Sequence, residues 1–408
     1  MLRPLGFPPR LFGLTFAAWL LILGSALSGC SSIGMRPAPT ARPVTAPPAT
    51  TAPVPTGPSA VAPSLPAPAG KLPVALLLPL SGPSAALGQA MLDAAQMALF
   101  QTGDDRIELL PRDSGGAAAQ ASAAAKAAIA DGAKLILGPL LAAEVEAVKP
   151  VAQSAHVPVI AFSTATQLAG DGTWLLGFDP RQEIERVVVY AHAHGRNRFA
   201  ALAPNSPYGD IAVAALRDAV AVAGASVGPI VRYDPAATSL GPTVQAFATG
   251  SSDFDAVLIP EGGAKLKALA PLLPFYGVDP DQVKFVGTGL WAVSGLGTEP
   301  ALRGAWYAAP DPATRAGFEQ QFKQLYGHEP PLLATLGYDA TALAGYLARN
   351  GDFSIAALTN SGGFSGLNGI FRLLPDGIVE RGLAVLEVRQ DGAAVIDPPP
   401  QTFEHPSY

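Results

Sequence analysis

The stretch that decides the fold is VALLLPLSGPSAALGQAMLDAAQMALF, which runs from Val74 to Phe100. Its apolar run VALLLPL is typical of a strand that is covered on both faces. A corner of small residues follows at Ser81, Gly82 and Pro83, and beyond it apolar residues recur at helical spacing. The stretch therefore predicts a strand, a turn and a helix, the unit from which doubly wound sheets are built.

The same alternation continues along the chain. Strand candidates RIELLPRD, KLILGPL and VPVIAFS alternate with helix candidates in the first half of the globular region. After a short break the pattern restarts with RFAALAP, SVGPIVRY, FDAVLIPE and KFVGTG. We therefore predict an α/β fold of two doubly wound parallel-sheet lobes that face each other across a cleft.

The first thirty residues have the pattern of an export signal. Arg3 and Arg10 precede a mostly apolar run, and small residues then lead to Cys30. The run is shorter than the about 20 apolar residues of a membrane span. The residues LSG before Cys30 resemble the lipobox of bacterial lipoproteins, which implies a signal peptide over 1–29 and a lipid on Cys30. An incidental thiol is the alternative.

Residues 30–70 predict a lipid-anchored tether. Proline, alanine and threonine dominate from Met35 to Gly70, and no apolar period survives. An extended polyproline helix of this length reaches roughly 100 Å at about 3.1 Å per residue. Ser31 stands where lipoproteins retained in the inner membrane tend to carry aspartate. By analogy, we expect attachment to the outer membrane of a Gram-negative cell, with the globular region in the periplasm.

Composition and motifs argue against several function classes. Charged residues are 14% of the chain and the net charge is −6, so no basic surface for nucleic acid is predicted. His192 and His194 lack a ligand cluster, and no G-x-S-x-G elbow is present. The chain has one cysteine, which excludes an intrachain disulfide. We expect no enzyme activity, no metal and no cofactor.

Candidate binding residues stand where predicted strands end. Ligands of doubly wound sheets sit at the carboxyl ends of strands, and free N–H groups at helix starts favour an anion. Four corners of the first lobe meet this rule: Ser81-Gly82-Pro83, Asp113-Ser114-Gly115, Gly138-Pro139-Leu140 and Ser163-Thr164-Ala165. Tyr208, Gly209 and Glu261 hold comparable positions in the second lobe.

These motifs, taken in order, resemble a known family. LLLPLSGPSAALGQAMLDAAQMAL, RDSGG, LILGPLLA, VIAFSTAT and NSPYGD are similar to segments of type 1 periplasmic binding proteins for branched-chain amino acids. LGYDATALA and GFSGLNGIFRLLPDGIVERGLAVLEV look closer to lipoprotein activators of penicillin-binding proteins. The resemblance implies three crossings between the lobes. It places 71–178 and 308–365 in lobe one, 179–307 and 366–397 in lobe two, and 398–408 in a tail.

The resemblance also implies roles for individual residues. In relatives that bind amino acids, the third and fourth corners grip the ligand carboxylate, which suggests Ser163 and Thr164; capping of the next helix is the alternative. The third corner departs from that pattern, because residues 141–143 read Leu-Ala-Ala. Glu261 would hold the ammonium group or begin a helix. Tyr208 would pack on a ligand or between lobes, and for Trp291 we favour the core.

Two functions follow. One is an outer-membrane lipoprotein that activates or regulates a penicillin-binding protein in peptidoglycan synthesis. The other is a lipoprotein receptor that binds an amino acid or similar solute for an ABC transporter. The long tether, the C-terminal motifs and the missing serines at residues 141–143 favour the first. The helical-repeat domain of the better-known activators is replaced here by the proline tract, which weakens that choice of partner.

Overall fold

The computed structural model describes residues 70–103, 106–250, 253–349 and 352–403. The predicted signal peptide, Cys30 and almost all of the predicted tether lie outside the described residues. Within the described part of the chain, no helix is both long and apolar enough to cross a membrane.

The first lobe is built on a parallel sheet with the strand order β2-β1-β3-β4-β5. These strands are β1 (Leu72–Leu78), β2 (Ile107–Asp113), β3 (Leu135–Leu137), β4 (Val159–Ala161) and β5 (Thr173–Leu175). The helices of this lobe are α1 (Ala85–Thr102), α2 (Ala118–Ala130), α3 (Ala142–Ser154), α9 (Ala316–Tyr326), α10 (Ala334–Ala348) and α11 (Ile355–Leu358). Residues 74–78 of β1 are fully buried, as predicted for a strand covered on both faces.

The two faces of β1 pack against different helices. Leu76 packs with Met91 of α1 and Leu343 of α10, whereas Leu77 packs with Val145 of α3. Gly337 in the motif LGYDATALA allows α10 to approach α1 closely. A Cβ atom at this position would lie 2.4 Å from the backbone oxygen of Met91. This glycine therefore serves helix packing.

The second lobe is built on a larger sheet with the order β15-β14-β10-β9-β8-β6-β7. Its strands are β6 (Arg198–Pro204), β7 (Ser226–Tyr233), β8 (Ala256–Leu258), β9 (Lys284–Gly287), β10 (Trp306–Ala309), β14 (Ala384–Arg389) and β15 (Gly392–Asp397). Its helices are α4 (Pro180–Ala193), α5 (Pro207–Ala223), α6 (Gly241–Gly250), α7 (Gly263–Leu269) and α8 (Leu272–Phe275). Strands β6 to β10 are parallel, and β14 and β15 extend the sheet in antiparallel fashion. The predicted α/β fold with two lobes is confirmed.

The last lobe boundary differs from the sequence prediction, which places residues 366–397 in lobe two. A small antiparallel sheet of β11 (Phe364–Gly366), β12 (Gly369–Leu373) and β13 (Val379–Arg381) instead packs Phe371, Leu373 and Val379 into the core of lobe one. The chain joins the second sheet only at β14.

Asp339 of α10 explains why this small sheet stays on the first lobe. Its buried carboxylate accepts the backbone N–H of Leu367 at 2.7 Å and the side-chain amide of Asn368 at 3.0 Å. Asn368 also donates to Thr335 at 2.8 Å. The motifs LGYDATALA and GFSGLNG thus meet through one hydrogen-bonded network. Buried polar groups satisfied in this way fix the register of packed elements.

Part of the predicted tail also belongs to the folded body. The ring of Phe403 is 7% exposed and lies 4.7 Å below the guanidinium group of Arg372 on β12. The backbone oxygen of Pro398 accepts a 3.4 Å hydrogen bond from Arg186. Residues 398–403 therefore close over the small sheet.

Candidate functional site

A cavity of about 350 Å³ lies between the two lobes. Lobe one contributes Thr164, Leu332 and Leu333, and lobe two contributes Tyr208, Gly289, Leu290, Ala292 and Val293. The crossover segments contribute Phe178, Pro180, Glu183 and Pro310. The walls are mostly apolar, and pockets that bind small molecules in proteins have this character.

Glu183 places a carboxyl group in the wall of this cavity. It stands in the first turn of α4, which begins at Pro180 and is capped by the side chain of Asp179. Glu183 is 5% exposed, and its Oε2 accepts the backbone N–H of Gly289 at 2.9 Å. Burial raises its pKa from 4.5 to about 8; the Gly289 N–H lowers it, Asp179 raises it and Arg381 lowers it. At neutral pH this carboxyl is therefore mainly protonated.

Tyr208 lies across the cavity, at the start of α5. Its hydroxyl shares a 2.9 Å hydrogen bond with the hydroxyl of Thr288. Burial raises the pKa of Tyr208 well above its usual value, so the phenol stays neutral. Of the two roles weighed for this residue, the position beside the cavity permits contact with a ligand. Gly209 has a packing role instead, because a Cβ atom there would lie 1.9 Å from the backbone oxygen of Pro204.

The first corner, at Ser81-Gly82-Pro83, is tied to the second by Asp113. The carboxylate of Asp113 accepts the N–H groups of Leu80 at 2.8 Å, Ser81 at 3.2 Å and Gly115 at 2.8 Å. A hydrogen bond from the Ser81 side chain, together with these N–H groups, holds the pKa of Asp113 below its usual value against the effect of burial. These three N–H groups are therefore not available to a ligand anion.

The third corner, at Gly138-Pro139, is occupied in the same way. The side chain of Glu144 is fully buried, and it accepts the N–H of Leu141 at 3.0 Å at the start of α3. The Gly138–Pro139 peptide bond is cis. A Cβ atom at Gly138 would lie 2.2 Å from the oxygen of Leu77, so this corner packs tightly on β1.

At the fourth corner, the sequence left two roles open, ligand contact and local capping, and the structure gives them to different residues. Ser163 is 6% exposed, and its hydroxyl accepts the N–H of Ala165 at 3.2 Å, which stabilises a local turn. Thr164 lines the interlobe cavity. Thr164 and Tyr208 are thus the two predicted site residues that the structure brings together around that cavity.

Glu261 does not line the cavity. Its carboxylate accepts the hydroxyl of Tyr233 at 2.5 Å and the N–H of Gly262 at 3.0 Å. Its backbone oxygen accepts the indole N–H of Trp291 at 3.0 Å. Trp291 is 1% exposed and packs in the core of lobe two, as predicted. The acid that reaches the cavity is Glu183.

The histidines of the motif AHAHG are held by backbone oxygens at the end of α4. His192 lies 3.3 Å from the oxygen of Arg196, and His194 lies 2.8 Å from that of Tyr190. Within the described ranges, no group of three or more His, Cys, Asp or Glu side chains has metal-binding geometry.

The strand-end rule missed the residues contributed by the crossovers. Glu183, Phe178 and Pro310 lie where the chain passes between lobes, and Glu183 stands in the first turn of a helix instead of at a strand end. A usable signal was present in the sequence DPRQEIE. An N-capping aspartate, a proline at the first helical position and an acid in the first turn mark a helix start immediately after a crossover.

Comparison with known proteins agrees with this architecture. The family model described as periplasmic binding protein matches residues 71–393. A putative branched-chain amino acid ABC transporter protein from Rhodospirillum rubrum superposes with a TM-score of 0.71 at 20% identity, covering 80% of this chain and 100% of that one. An ABC transporter substrate-binding protein from Sphaerobacter thermophilus gives a TM-score of 0.69 at 22% identity, covering 80% and 96%.

A third structure and one curated sequence complete the comparison. A solute-binding protein from Rhodopseudomonas palustris BisB5, solved with 3,4-dihydroxybenzoic acid, gives a TM-score of 0.63 at 20% identity, covering 82% of this chain and 97% of that one. An uncharacterised protein of Rickettsia prowazekii is 28% identical over 138 residues, which span 34% of this chain and 37% of that protein. With a family match over most of its length, this chain belongs to the periplasmic binding protein family.

Proposed function

We propose that this protein is a periplasmic solute receptor that captures a small molecule between its lobes for an ABC transporter. The observation that carries the proposal is the composition of the cavity wall. Thr164 comes from one lobe, Tyr208 from the other and Glu183 from a crossover, so closure of the lobes would enclose a ligand on all sides. Clefts between domains are preferred sites for small ligands.

The solved relatives support this choice over the penicillin-binding protein activator. The relatives from Sphaerobacter thermophilus and Rhodopseudomonas palustris are a substrate-binding and a solute-binding protein of ABC transporters. Neither comparison supports a penicillin-binding protein partner. Lipidation of Cys30, the tether and outer-membrane attachment stay predictions from the sequence, and they are compatible with a tethered receptor.

One structural observation keeps the activator as a second candidate. Asp113 and Glu144 occupy N–H groups of Ser81 and Leu141 that could grip an amino-acid carboxylate. A scaffold that no longer binds amino acids could serve as a docking module. In that case the full chain should be retained by a bifunctional penicillin-binding protein and should change its glycan synthesis, and absence of both effects would contradict the activator.

The receptor is tested by a thermal-shift screen of the full chain in detergent against amines, amino acids, aromatic acids and small alcohols. A ligand at 100 times its Kd should raise the free energy of unfolding by about 2.7 kcal/mol. Isothermal titration then gives the stoichiometry, which should be one per chain. A Leu333→Trp variant fills part of the cavity with a bulky neutral side chain and should abolish binding of a ligand of any charge. The receptor function would be contradicted if no compound in the screen binds, or if this variant abolishes the binding of none of them.

A further inference from the structure

We propose that the interlobe cavity selects an organic amine with an apolar body and no carboxylate, and that Glu183 is the residue that recognises its ammonium group. This inference rests on the proposed receptor function and names its class of ligand. It follows from the charge of the wall, from the state of the strand-end N–H groups and from the groups that surround Glu183.

The wall of the cavity offers one acid and no base. Of the described residues that line it, Glu183 is the one with an acidic side chain, and none is lysine, arginine or histidine. Its carboxyl has the backbone N–H of Gly289 as its hydrogen-bond donor, and no side-chain hydrogen bond to it is found in the described part of the chain. A buried carboxylate is stabilised when a cation pairs with it. A ligand ammonium would supply that cation.

The rest of the wall suits an uncharged hydrocarbon body. Leu290, Val293, Leu332 and Leu333 present aliphatic side chains, and Tyr208 presents an aromatic ring. An ammonium beside a phenol ring gains a further electrostatic attraction. A ligand with a small apolar group and one positive charge therefore matches the wall in both polarity and sign.

A ligand carboxylate meets no lysine, arginine or histidine among the described residues that line the cavity. The N–H groups of Leu80, Ser81 and Gly115 are bound to Asp113, and the N–H of Leu141 is bound to Glu144. An amino acid would bring its carboxylate into a mostly apolar cavity beside Glu183, where neutral hydroxyl donors such as Thr164 replace water. Desolvation of a charge without a cationic partner is costly, so we expect α-amino acids and simple carboxylates to bind more weakly than an amine.

Four groups face the Glu183 carboxyl and set its protonation. They are the N–H of Gly289, the carboxylate of Asp179, the guanidinium of Arg381 and the phenol of Tyr208. Arg381 donates to the oxygen of Leu176 at 2.5 Å and lies 5.0 Å from the ring of Phe178, and its positive charge lowers the pKa of Glu183 against the effect of burial. An arriving ammonium would pair with the carboxylate and displace its proton to solvent.

The test compares four probes that share one phenyl body. They are phenethylamine, 2-phenylethanol, 3-phenylpropionate and phenylalanine, each titrated into the full chain by calorimetry at pH 7. We expect phenethylamine to bind at least about tenfold more tightly than the others, which corresponds to about 1.4 kcal/mol. Titration in buffers of different ionisation enthalpy should show about one proton released for each amine bound.

Two isosteric variants test whether the affinity for the amine depends on Glu183. Glu183→Gln should weaken phenethylamine by at least about tenfold and remove the proton release, while 2-phenylethanol changes little. Glu185→Gln is the matched control, because Glu185 is exposed on the same helix and does not line the cavity. Circular dichroism verifies that both variants fold. Equal loss of amine affinity in both variants would overturn the proposal.

The outcomes separate the ligand class from the receptor function. If 3-phenylpropionate or phenylalanine binds more tightly than the amine and Leu333→Trp abolishes that binding, the receptor stands and the amine class is wrong. If Leu333→Trp abolishes the binding of no probe and of no member of the wider screen, the receptor function itself is wrong. Amine binding that requires Glu183 supports both.

Discussion

Two regions of the cleft surround a carboxyl group in different ways. At the first strand-end corner of lobe one, the half-buried carboxylate of Asp113 accepts three backbone N–H groups. In the interlobe cavity, the buried carboxyl of Glu183 accepts one N–H, from Gly289, and stands in a mostly apolar wall. The pKa of Asp113 lies below its usual value, whereas that of Glu183 is raised to about 8.

The difference teaches which carboxyl groups serve the fold and which is available to a ligand. A carboxylate that accepts several N–H groups is satisfied and holds a loop in place. A carboxyl that is buried with one donor is costly to ionise, and a cation from outside removes that cost. Family likeness alone would place ligand binding at the corners, whereas our proposal, based on these hydrogen bonds, places it at the crossover.

The largest effect expected from this contrast is on stability against pH. The folded-state pKa of Glu183 is raised to about 8, so the protonated form stabilises the fold at acid pH and this contribution is lost as the pH rises through 8. Between pH 5 and 9 the free energy of unfolding should fall by about 4 kcal/mol from this group. Glu183→Gln should remove that part of the decrease. Urea denaturation of both proteins across the range measures it.

Asp339 is the internal reference for this experiment. Burial also raises its pKa, so it lowers stability in the same direction with rising pH, but it does so equally in both proteins. The difference between the two curves therefore reports Glu183 alone. Parallel curves would mean that Glu183 is ionised in the folded state and that the contrast with the corners is wrong.

The next effect concerns Asp113, the carboxylate whose hydrogen bonds are satisfied by three backbone N–H groups. Asp113→Ala leaves the N–H groups of Leu80, Ser81 and Gly115 without their acceptor, and we expect a loss of about 2–3 kcal/mol in the free energy of unfolding. Asp113→Asn keeps one acceptor oxygen and should lose less. Denaturant titration at pH 7 measures both. A loss below about 0.5 kcal/mol for the alanine variant would show that water replaces the carboxylate readily.

The same residues show how much of the fold and of the candidate site could be predicted from the sequence. The apolar run ending at Leu80 and its repeats predict strands and two lobes, because burial of apolar side chains follows local periodicity. The change of lobe after Arg381 was not predictable, since it depends on Asp339 meeting Leu367 and Asn368 across the fold. The same holds for the site. Strand ends are visible in a sequence, but a helix start on a crossover joins the cavity only through tertiary packing.

A smaller effect separates the ring of Tyr208 from its hydroxyl. Tyr208→Ala removes an aromatic wall of the cavity and should weaken phenethylamine by about tenfold, or about 1.4 kcal/mol. Tyr208→Phe keeps the ring and loses the bond to Thr288, so affinity should stay within about threefold, a change below about 1 kcal/mol. Calorimetric titration of both variants decides. An equal loss of phenethylamine affinity in both variants would mean that the hydroxyl of Tyr208 recognises the ligand and that its ring contributes nothing.

The smallest effect tests whether an occupied corner can be reopened. Glu144→Ala frees the N–H of Leu141 at the start of α3 and should cost about 1 kcal/mol of stability as a lost helix cap. Glu144→Gln retains an oxygen acceptor and is the control. If occupation of this N–H is what excludes carboxylates, the alanine variant alone should gain affinity for 3-phenylpropionate, by less than about tenfold because Asp113 still holds the neighbouring corner. Calorimetry at pH 7 compares the three proteins. An unchanged affinity in the alanine variant would mean that carboxylates are excluded by the apolar wall and Glu183, which moves the basis of selection entirely to the crossover.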